Sequence, residues 1–143
     1  MASALTTAAL KQIEATLPAA QAAGLATNLI EMQKAIPSTA LGTAAASAAL
    51  APTTSGEYRM AIANASETNT LAAPAFAGQI VSFGVDSRAG SGTRAITASA
   101  AVNATGNTVL TFNATTDTCT LLAVTVAGTV AWRVLYNDGV TLS

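Results

Sequence analysis

The chain of 143 residues contains no histidine, which removes the commonest general base and the commonest metal ligand together. Its one cysteine, Cys119, is too few for a zinc site or an intrachain disulfide, and as a nucleophile it would lack its usual imidazole partner. Cys119 falls in a strand pattern with Leu121 and Ala123 and is expected as a small buried apolar residue. Seven carboxylates remain: Glu14, Glu31, Glu57, Glu67, Asp86, Asp117 and Asp138. A converging pair of them would suit glycoside hydrolysis. However, Asp86, Asp117 and Asp138 all border turn material, where aspartate bonds local backbone, and that role is expected of them. The loop "SRAGSGTR", residues 87–94, sets Gly90-Ser91-Gly92 between Arg88 and Arg94. Glycine N–H groups and two guanidinium groups could cradle an anion there. A G-x-G with no helix after it reads more simply as a hairpin loop. Arg88 and Arg94 would then be free to pair with carboxylates of a neighbouring subunit.

Nothing in the composition supplies the missing chemistry. Charged residues make up 9% of the chain, against about 25% in an average globular protein, and net charge is −1. No basic face is available for nucleic acid and no polybasic segment for a membrane surface. No apolar run reaches the roughly 20 residues of a membrane span, and "MASALTTAALKQIE" lacks the basic start and apolar stretch of a signal peptide. With the single cysteine, this points to assembly in a reducing cytoplasm. Three Asn-x-Ser/Thr triplets, at Asn64, Asn103 and Asn113, therefore read as turns. The chain holds 35 alanines and 22 threonines, so its apolar fraction is built from small side chains that each bury little area. A surface this poor in charge suits contact with other protein better than solitary life in water. No cofactor, metal or small-molecule substrate is expected, and no enzymatic activity.

Three segments must position whatever function exists. Residues 1–36 are expected to be helical: Leu10, Ile13 and Leu17 precede Pro18, and Leu25, Leu29, Met32 and Ile36 then follow a 4-3-4 spacing that makes one apolar seam. That seam packs on its own domain or on sister subunits. Residues 37–56, "PSTALGTAAASAALAPTTSG", read as a spacer. From residue 57 the period becomes 2. "QIVSFGV", "TRAITA", "TVLTF", "CTLLAVTV" and "VAWRVLY" are β-type segments separated by turns, as in an antiparallel sandwich or barrel. Expected core residues are Phe83, Phe112, Leu121, Trp132, Val134 and Tyr136, with Val130, Trp132, Val134 and Tyr136 on one buried face of the last long strand. Arg133 and Leu135 share the other face, which with Arg88, Arg94 and the Leu25–Ile36 seam makes a candidate interface with a sister subunit or another protein. Asp138-Gly139 is a hairpin signal, with Val140–Leu142 as the returning strand and a structural role for the last residues.

The ending "WRVLYNDGVTLS", with its Trp132-Arg133 and Asn137-Asp138-Gly139-Val140, resembles the small β domains of tailed-bacteriophage virion proteins, above all capsid decoration (cement) proteins and head fibres. Some of these carry a β-tripod, three chains intertwined about a threefold axis. The resemblance covers roughly residues 57–143. It implies a homotrimer on the outer capsid surface, bound to the major capsid protein and reinforcing the shell, with no catalytic centre. A head-fibre, tail-fibre or spike tip that binds a host-surface receptor is the alternative, and it predicts exposed aromatic or polar clusters.

Overall fold

A computed structural model describes residues 40–143. The expected helical segment and its seam, Leu25, Leu29, Met32 and Ile36, lie outside the described residues. The described chain is mainly β: β1 Ala40–Thr43, β2 Ala49–Leu50, β3 Gly56–Ile62, β4 Ser66–Leu71, β5 Ile80–Arg88, β6 Thr93–Ala98, β7 Val109–Phe112, β8 Thr118–Val126, β9 Thr129–Asp138 and β10 Thr141–Leu142. Two five-stranded sheets form, ordered β1-β3-β5-β8-β9 and β10-β7-β6-β4-β2. Their inward residues make one core, and Phe83 of the first sheet meets Phe112 of the second edge-to-face at 6.3 Å.

The sheets are mixed, which corrects the antiparallel expectation. From β1 to β6 the chain changes sheet at every step, so β1, β3 and β5 pair parallel in one sheet while β2, β4 and β6 pair parallel in the other. This makes a flattened coil of three rungs: β1 with β2, β3 with β4, β5 with β6. Like positions stack from rung to rung. Tyr58 lies opposite Phe83, their rings stacked at 5.7 Å, and Leu50, Leu71 and Ala98 form an inner column. Antiparallel β7 to β10 then complete both sheets.

The alternating apolar residues of β5 to β8 bury as expected from period 2. Phe83, Phe112, Leu121 and Trp132 are all in the core, and burying each aromatic stabilises the fold by roughly 1.5–3 kcal/mol. Val134 is half-buried and packs against them. A two-residue turn, Ala127 and Gly128, both with positive φ, joins β8 to β9 with the twist that a tight hairpin needs.

The spacer expected at 37–56 gives way to structure from residue 40 onward. β1 and β2 are the first rung, and Ala44, Leu50, Pro52 and Ser55 are buried. Alanine-rich strands of four and two residues are too weak to hold by themselves. Buried polar side chains of later rungs hold them. Asn69 Nδ2 donates to Ala45 O at 2.8 Å and Ala48 O at 2.9 Å, Gln79 Nε2 to Pro52 O and Thr54 O at 2.9 Å each, and Arg94 Nη1 to Ala44 O at 2.6 Å. Each bonds backbone carbonyls of the first rung or of the segment that follows it, and so ties them to the later rungs.

Two corrections concern the ending. Tyr136 is 55% exposed rather than buried. β9 carries a bulge opposite β8: Leu121 pairs with Val134 and Thr120 with Tyr136, leaving Leu135 as an extra residue. One inserted residue inverts the facing of everything after it. Asp138-Gly139 makes no hairpin either. The chain crosses there to the second sheet, where Thr141 and Leu142 pair with Thr111 and Leu110 of β7. Asn137 holds the crossing, with Nδ2 donating to Val140 O at 2.9 Å and Oδ1 accepting from Val140 N at 3.1 Å.

Candidate functional site

The described ionisable groups that sequence reasoning singled out lie mostly in or beside the ends of strands, and several of them close the adjoining turns. Glu67 begins β4 inside the molecule. Its Oε1 accepts from Ala63 N and Asn64 N at 3.0 Å each and from Asn64 Nδ2 at 2.9 Å, closing the β3–β4 crossing. Its Oε2 accepts from Arg94 Nε at 3.0 Å and from Arg94 Nη2 in a buried ion pair. Burial alone would raise the Glu67 pKa. The bonds from Arg94, the Asn64 side chain and the two amides outweigh it and hold the carboxyl at about 2. Asp117 repeats the device before β8, where Oδ2 accepts from Asn113 N at 2.7 Å and Ala114 N at 3.0 Å. In both cases a carboxylate takes the amides of residues three and four positions earlier.

The anion-nest reading of residues 87–94 does not survive this geometry. Arg94 is fully buried and paired inward with Glu67, so it is also not a subunit contact. Arg88 Nε donates to Gly92 O at 2.7 Å, closing its own loop. The two guanidinium groups face different places. Arg133 Nη1 donates to Trp132 O at 2.9 Å and to Ala101 O, clamping the 99–108 loop against β9. On the outer face of the first sheet, Arg59 pairs with Asp86 and, at 3.2 Å, with Glu57. The remaining described carboxylate, Asp138, accepts from Tyr136 OH at 3.5 Å.

Cys119 is fully buried, and burial pushes its thiol up to about 12. It is a protonated core atom at neutral pH. Burial also raises the Tyr58 phenol. Among the described residues no group of three or more His, Cys, Asp or Glu could hold a metal ion. No helix among them is long and apolar enough to cross a membrane.

Two surfaces stand out instead. Among the described residues, Leu135 at 57% and Tyr136 at 55% exposure are the largest apolar side chains in solvent, side by side where the bulge turns them out. Leu135 was legible as an interface candidate. Tyr136 was not, because a one-residue bulge leaves no mark in a period-2 pattern. The second surface is the outer face of the β10-β7-β6-β4-β2 sheet. Its rows run Ala49, Thr70, Thr97, Val109 and Thr68, Ala95, Thr111, Thr141. No charged residue lies in either row. Glu67 and Arg94, the charged residues of those strands, both point inward. The signal was present as Ser66-x-Thr68-x-Thr70 and Thr93-x-x-x-Thr97, small polar residues at period 2.

No protein-family model matches the chain, and no curated protein is significantly similar to it.

Proposed function

We propose that this protein is a structural virion component: a homotrimeric decoration (cement) protein bound to the outside of a tailed-phage capsid through the major capsid protein. The observation that carries this reading is the distribution of charge and polarity. Most of the described ionisable side chains are spent on closing turns and joining rungs, while a whole sheet face and the Leu135–Tyr136 pair carry no charge and stay exposed among the described residues. Interfaces deplete charge at their centre and enrich aromatic residues there, which fits both surfaces. The resemblance of the Trp132–Ser143 ending to phage virion domains supplies the partner class.

Mixing the purified protein with expanded shells of a tailed phage that encodes it tests the reading. Stoichiometric, saturable binding and a raised shell-disruption temperature are expected, with a light-scattering mass three times the 14.1 kDa of one chain. A monomer that leaves shells bare would overturn it. The exposed Tyr136, next to Asp138 at a sheet crossing, favours a second reading as a fibre or spike tip. In that case the protein binds host cells and ignores capsids.

A further inference from the structure

The three rungs of the coil are not held alike. The third buries Val81, Phe83, Val85 and Ile96, and the second buries Met60, Ile62 and Leu71. In the first rung Leu50 is the one large aliphatic side chain to be buried, and Leu41 packs against the core only in part. Polar bonds take the place of apolar burial there. Five of them reach carbonyls of residues 44–54 from Asn69, Gln79 and Arg94.

Those three side chains lose little if the rung leaves. Arg94 stays paired with Glu67, and Gln79 Oε1 still accepts from Ala75 N at 2.8 Å. Water replaces the carbonyls they give up. Two further features weigh against the closed rung. Asn69 Oδ1 is buried with no protein partner among the described residues, and opening hydrates it. Ser47, in the turn between β1 and β2, has φ +62°, a left-handed conformation that is uncommon outside glycine.

Regions with few buried apolar contacts open at a lower free energy than the whole fold. We infer that residues 40–55 form a strap: β1 and β2 detach together, as one unit, while the sandwich of β3 to β10 stays closed. The large core side chains Phe83, Phe112, Leu121 and Trp132 belong to β5, β7, β8 and β9 and remain packed. Release bares the edges of β3 and β4 at once, because β1 and β2 end the two sheets on the same side. The device is independent of the capsid reading and would serve a fibre tip equally.

Native-state hydrogen exchange on the full chain tests it. Ala44 N, bonded to Arg59 O, and Ser47 N, bonded to Thr68 O, should exchange at least about tenfold faster than the amides of residues 118–126. Their rates should also rise less steeply with urea, because opening one rung exposes less surface than unfolding the chain. Leu121→Val loosens the sandwich away from the strap. It should speed exchange of residues 118–126 by roughly three- to tenfold and leave Ala44 and Ser47 unchanged. Acceleration of all of them in step would overturn the inference, since the rung would then open only with the whole fold. Leu50→Ala, in β2, should speed the bonded amides of β1 by the same factor as those of β2. Unequal factors would also overturn it, by showing that the two strands fray separately.

Discussion

Arg94→Met is the sharpest test of how this fold is held. The substitution keeps length and apolar bulk but removes both bonds to Glu67 Oε2 and the bond to Ala44 O. Glu67 would keep its three donors on Oε1, yet Oε2 would be left buried without a partner. Breaking one side of a buried ion pair costs about 3–5 kcal/mol. A domain of this size has roughly 5–15 kcal/mol in all, and each kcal/mol moves the melting point by about 5 °C. A drop of about 15–25 °C at pH 7 is therefore expected, read by denaturation followed through Trp132. Glu67→Gln added to Arg94→Met should recover part of it, because the amide oxygen still closes the 63–64 turn and no charge remains buried. The pH dependence has a definite sign. In the native protein the Glu67 carboxyl sits at about 2 against an ordinary 4.5, so its contribution is complete above pH 4.5 and is lost as pH falls toward 2. Without Arg94 the foremost of the bonds that lower this carboxyl is gone, so acidification costs the variant less than it costs the parent. The gap between them should close below pH 4.5. A loss under 1 kcal/mol at pH 7, or a gap that widens in acid, would refute this account.

Three further outcomes follow from the same geometry. Gly139→Ala should lose about 2–4 kcal/mol in chemical denaturation, since φ is +79° and the new methyl would overlap Asp117 Oδ1. Cys119 should resist thiol reagents in the native protein at pH 8 and react within minutes in denaturant, as a colorimetric thiol assay will show. Leu135→Asp with Tyr136→Ser should leave the melting temperature within about 3 °C and, on the proposed trimeric assembly, lower the solution mass toward that of one chain.

The sequence was legible where apolar residues alternate. β5 to β9 each bury at least one of Val, Leu, Ile, Phe or Trp within an alternating pattern, and each was found. β4 was missed because its inward residues are Glu67, Asn69 and Leu71 and its outward ones Ser66, Thr68 and Thr70, so hydrophobicity shows no period there. β1 and β2 were missed because Ala40-Leu41-Gly42-Thr43 and Ala49-Leu50 have little strand preference of their own. Their fold is imposed by Asn69, Gln79 and Arg94, residues 19 to 54 positions further on. Asp138-Gly139 was wrongly read as a hairpin: Gly139 has a positive φ, but Asp138 still belongs to β9, and the dipeptide does not say which sheet the next strand joins. For the candidate surfaces, Leu135 was readable from facing alone, whereas Tyr136 and the uncharged face needed the bulge and the pairing to be known.

The alternation of β1 to β6 between two sheets also governs how the protein folds. No strand in that half pairs with the one that follows it, so each contact spans a whole rung of chain. Local hairpins form quickly, and the strongest local pair is β8 with β9, joined by two residues. Sheet closure needs β8 on β5 and β10 on β7, and both β8 and β10 follow the six strands of the coil in the chain. Folding should therefore run from the C-terminal hairpin backward after synthesis, on the millisecond-to-second scale of non-local β topologies. Disrupting the Ala127-Gly128 turn should slow refolding in stopped-flow fluorescence, whereas loosening β1 should mainly speed unfolding. Until β8 pairs, the inner edge of β5 stays open beside the large apolar side chains of Val81, Phe83 and Val85, and aggregation competes with folding during that interval.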